Sequence, residues 1–378
     1  MGPSMSADMG VDRTLPDFPW DRLEPYKELA RRHPDGIVDL SVGTPVDPTP
    51  ESVRRALAEA ADAPGYPLTY GTPRLREAAA GWLRRRLQVD ADPAAILPAI
   101  GTKELVAWLP TLLDLGPGDE VVLPRLAYPT YDVGARLAGA RPVATDGLLT
   151  LGPATHAGGG VQLVWLNSPS NPTGAVLPAE HLRKVVAWAR ERGVLVVNDE
   201  CYIELAWDDA PGNRPVSILH PDVCEGSHEG LLAVHSLSKR SNLAGYRAGF
   251  VAGDPAVIQR LLAVRKHAGM MMPAPVQAAM AVALDDDQHA AEQLERYARR
   301  RTVLKRAFEG HGLRIDHSEA ALYLWATRDE PCWHTVEHLA ELGVLVAPGE
   351  FYGAAGERHV RIAFTATDER VAAAAARL

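Results

Sequence analysis

Val161-Gln162-Leu163-Val164-Trp165-Leu166 runs straight into Asn167-Ser168-Pro169-Ser170-Asn171-Pro172-Thr173-Gly174, and this junction decides the fold. A short apolar run closed by a proline-rich turn reads as a buried strand. A helical stretch over 178–192 follows, then a second buried strand, Val194-Leu195-Val196-Val197-Asn198. Strand, helix and strand in this order make a βαβ unit, and hence parallel pairing. The second strand ends in Asp199-Glu200-Cys201-Tyr202. Asn171 is thereby held at a strand's carboxyl end, where open α/β sheets bind ligands. Taken singly, Asp199 also suits a helix or turn cap, and Asn171 an Asx-turn.

The rhythm extends outward in both directions. Helices are predicted over 51–62 and 73–87, with a Tyr/Pro/Gly-rich loop between them. From Ile100 the pattern gives a helix over 103–113, a strand over 120–123 and a helix near 131–138. Further strands follow over 231–235 and 246–253. The implied architecture is α/β, a mostly parallel sheet with helices on both faces. A long helical pattern over 286–309 leads into a smaller α+β part, with a strand at Leu322-Tyr323-Leu324-Trp325 and a helix over 333–342. The expected division is a large domain over 46–284, with an N-terminal arm (1–45) and a small C-terminal domain (285–378) making up the rest.

Ser236-Leu237-Ser238-Lys239 closes the apolar run Leu231-Leu232-Ala233-Val234, and Arg247 follows eight residues later. A lysine at the end of a buried strand is poorly solvated, so its neutral amine becomes accessible and can form a Schiff base. Ser236, Ser238 and Arg247 supply hydroxyls and a fork-shaped cation, the groups that hold a phosphate. An amine nucleophile beside a phosphate cradle describes a site for pyridoxal 5'-phosphate. Asp199 can pair with a protonated ring nitrogen there, and Tyr202 can hydrogen-bond a ring oxygen. By itself the Ser/Lys string also fits a solvated loop.

With Asn171, Asp199, Tyr202 and Lys239 in this order, the chain resembles the class I and II aminotransferases, the fold-type I enzymes that use pyridoxal phosphate. The likeness runs from Leu40-Ser41-Val42-Gly43 to Val360-Arg361-Ile362. It implies a seven-stranded sheet sandwiched by helices, a homodimer with shared active sites, and ping-pong exchange between an amino donor and a 2-oxo acid. Lys239 resembles the Schiff-base lysine, which also moves the Cα proton, and Asp199 the partner of the pyridine nitrogen. Asn171 and Tyr202 resemble the pair on the ring's phenolic oxygen, and Tyr128 the aromatic stacked on the ring. Gly101-Thr102-Lys103-Glu104 resembles the phosphate turn at a helix N-terminus, which Ser236, Ser238 and Arg247 complete. Tyr66 matches the tyrosine that reaches the phosphate from the neighbouring subunit. Arg361 resembles the clamp on the substrate α-carboxylate, with Gly43 and Asn171 beside it.

The strings Leu15-Pro16-Asp17-Phe18-Pro19-Trp20-Asp21, Asp39 to Pro48 and Ser238 to Arg247 are similar to those of actinobacterial succinyldiaminopimelate aminotransferases. That similarity implies N-succinyl-L,L-2,6-diaminopimelate as donor and 2-oxoglutarate as acceptor, in lysine and diaminopimelate biosynthesis. Lys103 and Arg125 are candidates to read the donor's distal anion; both also suit a solvated surface. Aspartate or another amino acid as donor stays open, as does a β-eliminating lyase built on the same cofactor residues.

Composition bounds these readings. The chain has 378 residues, 47% of them hydrophobic, and a net charge of −9, which disfavours a nucleic-acid surface. Three scattered cysteines, Cys201, Cys224 and Cys332, make neither a disulfide frame nor a zinc knuckle. No apolar run is long enough for a bilayer, and residues 1–7 lack a basic-plus-apolar leader, so a cytoplasmic protein is expected. Gly158-Gly159-Gly160 has no phosphate-binding context.

Two other motifs compete. Ser236 and Lys239 form an S-x-x-K, but its companion S-D-N and K-T-G strings are missing. His334-Thr335-Val336-Glu337-His338 is an H-x-x-E-H, as in inverzincin peptidases, although no motif fixes a third zinc ligand. No metal is expected. A cofactor-sensing transcription regulator is the non-enzymatic option; its winged-helix domain finds no room ahead of Thr44.

Overall fold

The computed structural model describes residues 15–148, 160–207 and 214–378; residues 1–7 and Gly158 and Gly159 of the glycine run lie outside the described residues. Strand β1 (Val38–Asp39) comes first. The central sheet follows: β2 (Ile96–Ile100), β3 (Asp119–Leu123), β4 (Arg141–Ala144), β5 (Gly160–Asn167), β6 (Leu195–Asp199), β7 (Leu231–Ser236) and β8 (Ala248–Gly253). Its spatial order is β2-β8-β7-β6-β5-β3-β4. Neighbours from β4 to β7 pair in parallel, and β8 runs antiparallel to both β7 and β2. The seven-stranded, mostly parallel sheet matches the expectation.

Side chains alternate between faces along a strand. In β7, Leu231 and Ala233 join the apolar cluster of Trp82, Phe250 and Met280, whereas Leu232 and Val234 join that of Leu105, Tyr131 and Trp165. Helices cover both faces, so nearly every position must be apolar, which is why these strands read as continuous runs. The chain also reverses its winding here. After β3 it passes through the helix Thr130–Leu137 to the edge strand β4, then returns to set β5 on the other side of β3. The segments after β3 and β5 therefore leave in opposite directions and open a crevice at the strands' carboxyl ends. Register aligns the neighbours: Asn167 stands opposite Asp199, and Asp199 opposite Val234.

Past the helix Asp287–Gly310, which the Asp286 carboxylate caps, lie β9 (Arg314–Asp316), β10 (Tyr323–Thr327), β11 (Val344–Leu345), β12 (Ala347–Pro348) and β13 (Val360–Ala363). Four of these form an antiparallel sheet in the order β12-β13-β10-β9, and β11 pairs in parallel with β1. A third apolar cluster joins Leu23, Val38 and Leu40 to Tyr297, Leu304, Leu324 and Phe364. Asp47 ties the N-terminal segment to the long helix: both its oxygens accept from Arg300 at 2.7 Å, and the Arg300 Nε donates to Asp368 at 2.6 Å.

Strands β2 and β4 and the helices Pro255–Ala268 and Ala274–Asp285 add to the sequence reading. Pro98 and Pro142 lie on edge strands, the positions that tolerate a proline in a sheet.

One polar contact is sealed inside. Glu200 Oε1 accepts from Asn198 Nδ2, Ser217 Oγ and the Ile218 amide at 2.8–3.1 Å, while Oε2 stands 3.7 Å from His235 Nε2. Both side chains are almost wholly buried. Burial pushes the carboxyl up and the imidazole down, so both groups are neutral and the contact is no ion pair.

Candidate active site

The crevice holds a cavity of about 540 Å³. It brings together Asn171 from the turn after β5, Asp199 and Tyr202 from the end of β6, and Ser236, Ser238 and Lys239 from the end of β7. Tyr128 enters after β3, Thr102 and Lys103 at the start of the helix Thr102–Leu112, and Arg247 just before β8. Gly43 and Arg361, from the two ends of the chain, close the other side. Tyr66 is not among the lining residues and stands 95% exposed. Arg125, a candidate for the distal anion, is exposed and lies outside this lining, whereas Lys103 is part of it.

Lys239 Nζ donates to the Gly43 carbonyl. Desolvation, with the Arg361 and Arg247 charges acting in the same direction, brings its amine down to about 8. Its neutral fraction near physiological pH is thus far above that of an ordinary lysine, which favours a nucleophilic or proton-abstracting amine.

Asp199 is 7% exposed and accepts from the Tyr131 hydroxyl at 2.8 Å and the Cys201 amide at 3.1 Å. Among the described residues it has no cationic partner, and burial raises its carboxyl above the usual range. A buried carboxylate that lacks a countercharge is completed by a ligand's protonated nitrogen. Asn167 braces this corner: Nδ2 donates to the Asp199 and Pro169 carbonyls, and Oδ1 accepts from the Asn171 amide at 2.7 Å.

Arg361 is the converse case, a cation with no acidic partner among the described residues. It is 3% exposed and donates to Asn171 Oδ1 at 2.9 Å and the Ser41 carbonyl at 2.7 Å, leaving Nε unpartnered. Tyr323 and Tyr352 face its guanidinium at 4.1 and 4.9 Å, and the Tyr323 hydroxyl meets that of Tyr202 at 2.8 Å. A side chain at position 43 would strike Tyr323 at 2.6 Å, so only glycine leaves the floor open.

Arg247, exposed and donating to the Ala244 carbonyl at 2.7 Å, lies against the Cα of Gly101. Gly101 has φ +74°, and any β-carbon there would fill the space beside the guanidinium. The Ser236 and Ser238 hydroxyls and the amides opening the helix Thr102–Leu112 complete an anion cradle. Cradle, uncompensated carboxylate and poised amine fit pyridoxal phosphate: the phosphate on Arg247, the ring nitrogen on Asp199, the aldehyde on Lys239.

Tyr131, Asn167 and Tyr323 were given no role from the sequence. Asn167 lies inside a string already singled out, and only the fold turns it and Tyr131 toward Asp199. Burial beside Asp199 pushes the Cys201 thiol up, away from the thiolate form that a nucleophile needs. The H-x-x-E-H helix, Cys332–Glu341, contributes nothing to this site. His338 Nε2 lies 2.8 Å from His311 Nε2, and no group of three or more His, Cys, Asp or Glu among the described residues is placed to hold a metal ion.

Comparison with known proteins agrees with this geometry. The family described as aminotransferase class I and II matches residues 35–378. A 4-dedimethylamino-4-oxo-anhydrotetracycline transaminase of Streptomyces rimosus is 66% identical, covering 97% of this chain and 99% of its own. A protein named as a probable aminotransferase of Mycobacterium tuberculosis is 63% identical, over 98% of this chain and 86% of its own. A solved structure from Thermus thermophilus, named as a probable N-succinyldiaminopimelate aminotransferase, superposes with a TM-score of 0.82 at 30% identity, over 95% of this chain and 99% of that one. The chain belongs to the class I and II aminotransferases, pyridoxal-phosphate enzymes that pass an amino group from a donor to a keto acid.

Proposed function

We propose that the chain is an N-succinyl-L,L-2,6-diaminopimelate:2-oxoglutarate aminotransferase of lysine and diaminopimelate biosynthesis, working in the cytoplasm as a homodimer. The observation that carries this reading is the cavity itself. Part of its about 540 Å³ is needed for the cofactor, and the lining extends past the residues already assigned, to Phe18, Trp20 and Lys103. A short donor such as aspartate leaves that extension unused. The name of the Thermus structure supports the same donor. Tyr66, exposed and apart from its own cavity, supports a role at a neighbouring subunit's site. The division into a 46–284 domain and a composite 1–45 plus 285–378 domain belongs to this reading.

Bound pyridoxal phosphate supplies a ring that takes up the electrons freed at the donor's Cα. Arg361 grips the α-carboxylate and fixes the Cα–H bond toward Lys239. Lys239 Nζ would hold the cofactor's aldehyde at rest and, once free, would accept and give back the donor's Cα proton, work worth roughly 10²–10⁴-fold. Asp199, oriented by Tyr131 and Asn167, keeps a proton on the ring nitrogen, while Tyr202 and Asn171 hold the phenolic oxygen. Donor and acceptor use one site in turn, so the kinetics are ping-pong.

A panel of succinyldiaminopimelate, aspartate and cystathionine tests the assignment, read by the cofactor's absorbance and by glutamate formed from 2-oxoglutarate. Succinyldiaminopimelate should give the highest kcat/KM. Preference for aspartate would overturn the donor, and release of pyruvate or ammonia from cystathionine would mark a lyase. The likeness to the Streptomyces transaminase favours a second reading, amination of a bulky ring ketone, which the same assay reports when such a ketone replaces 2-oxoglutarate. Lys239→Ala should abolish both turnover and the borohydride-trapped cofactor adduct.

A further inference from the structure

The buried side chains of the helix Asp287–Gly310 change character along its length. Leu304 and Phe308, toward its end, sit in the third apolar cluster. Its first half instead buries His289, Gln293 and Tyr297, four residues apart and hence on one face. Each of the three meets a different residue of the turn that carries Lys239. His289 Nε2 stands 2.9 Å from the Ser241 hydroxyl, and Gln293 Oε1 accepts from Asn242 Nδ2 at 3.0 Å. The Tyr297 hydroxyl donates to the Lys239 carbonyl at 3.3 Å. Arg240 is buried and turned another way: Nε donates to Glu204 at 2.5 Å and a terminal nitrogen to the Ala283 carbonyl at 2.8 Å. Glu204 is held in turn by the Trp82 indole and by Arg86, at 3.2 and 2.9 Å. Consecutive residues from Lys239 to Asn242 are thus each tied to a separate side chain.

We propose that His289, Gln293 and Tyr297 form a positioning track that sets where the Lys239 amine sits. The proposal rests on Lys239 as the amine that holds the cofactor and moves the Cα proton. The turn needs outside help to be rigid. It is a single helical turn, Leu237–Arg240, capped by the Ser236 hydroxyl. Asn242, just beyond, has φ +53°, a left-handed backbone that few side chains other than asparagine accept. Lysine's four-carbon stem adds freedom of its own. A misplacement of about 1 Å in a reacting group can cost on the order of 10²-fold in rate, so the backbone beneath that stem has to be fixed. Apolar side chains at 289, 293 and 297 would fill the same space without imposing direction, whereas a buried polar network specifies one arrangement. The track also runs on to another joint: Gln293 Nε2 donates at 2.8 Å to Asp47, the carboxylate that Arg300 holds. None of the three is among the residues lining the cavity, so their effect reaches the reaction through the turn.

Tyr297→Phe removes one oxygen and keeps the ring, so the variant should fold and load with cofactor. Its kcat per folded enzyme should fall by about 2- to 10-fold, the worth of one neutral hydrogen bond, with KM unchanged. Visible circular dichroism of the bound cofactor, read without any substrate, should weaken as the lysine loosens. Ser241→Ala and Asn242→Gly cut the other two ties and should act in the same direction; glycine accepts the left-handed backbone at 242. Leu304→Val, on the same helix but off the track, is the control: it should lower the melting temperature and leave kcat and the dichroism at wild-type values. A Tyr297→Phe enzyme with wild-type kcat and dichroism overturns the track, as does a Leu304→Val enzyme in which both fall. Lys239→Ala separates this proposal from the reading beneath it. If that variant still traps the cofactor with borohydride, the lysine assignment falls and the track with it. If the adduct is lost while Tyr297→Phe changes only the melting temperature, the lysine stands and the track alone is overturned.

Discussion

Arg361 and Arg300 are both buried arginines near the join between the central sheet and the C-terminal part, yet they are built in opposite ways. Arg300 has a carboxylate on each side of its guanidinium, Asp47 held through two bonds and Asp368 through one. Arg361 has an amide oxygen, a carbonyl, two tyrosine rings and an unpartnered Nε. Desolvating a guanidinium is costly in either case. At Arg300 the protein supplies the compensating charge and the result is a fixed joint. At Arg361 no carboxylate among the described residues supplies that charge, which leaves the guanidinium open to an incoming one.

Exchanging the two arginines for leucine separates the cases. Arg361→Leu should lower kcat/KM for every α-amino donor by roughly 10²–10⁴-fold, the worth of two charge-assisted bonds, while the denaturation midpoint stays level or rises. A midpoint that fell as far as activity would show Arg361 to be a structural joint as well. Arg300→Leu should cost about 3–5 kcal/mol of stability, because Asp47 is left partly buried and uncompensated, with the folded fraction retaining its kcat. Tyr131→Phe removes one donor from Asp199 and should lower kcat by about 10-fold, together with a shift in the pH at which the cofactor's absorbance changes. His338→Ala should be the mildest: turnover within about two-fold of wild type, because surface-side positions remote from the chemistry carry little of it. Stoichiometric zinc in the purified protein would reverse that last expectation.

Residues that must be apolar, or that sit in a short contiguous string, were legible in advance. The runs of β5, β6 and β7 announce themselves because both faces of each strand are covered, and the turns that follow carry Asn171, Asp199 and Lys239. Edge strand β4 is short, holds Pro142 and is not buried at any position, so nothing distinguishes it from a loop. The helix Ala274–Asp285 is apolar nearly all round, since it is buried against the helices Glu51–Glu59 and Pro73–Leu87, and shows little helical periodicity. Within the site, Tyr323 and Trp20 reach the cavity from opposite ends of the chain. Their roles depend on tertiary packing, which spacing along the sequence does not encode.

The neutral Glu200–His235 contact gives the fold a built-in pH plateau. Folded, Glu200 keeps its proton up to about 8 against an ordinary 4.5, so stability drains away as the medium becomes alkaline across that span. His235 refuses a proton down to about 3 against an ordinary 6.5, so stability is likewise lost on acidification through its own span. Where the two spans overlap, from 4.5 to 6.5, the slopes oppose each other and the folding free energy should be nearly flat, falling away on either side. Urea midpoints measured across this range should show that level stretch, and Glu200→Gln should remove the alkaline decline and turn the stretch into a continuous rise from about 3 to 6.5. An acid and a base stored uncharged beside one another thus work as a matched pair of opposing ballasts for the strands that carry Lys239 and Asp199.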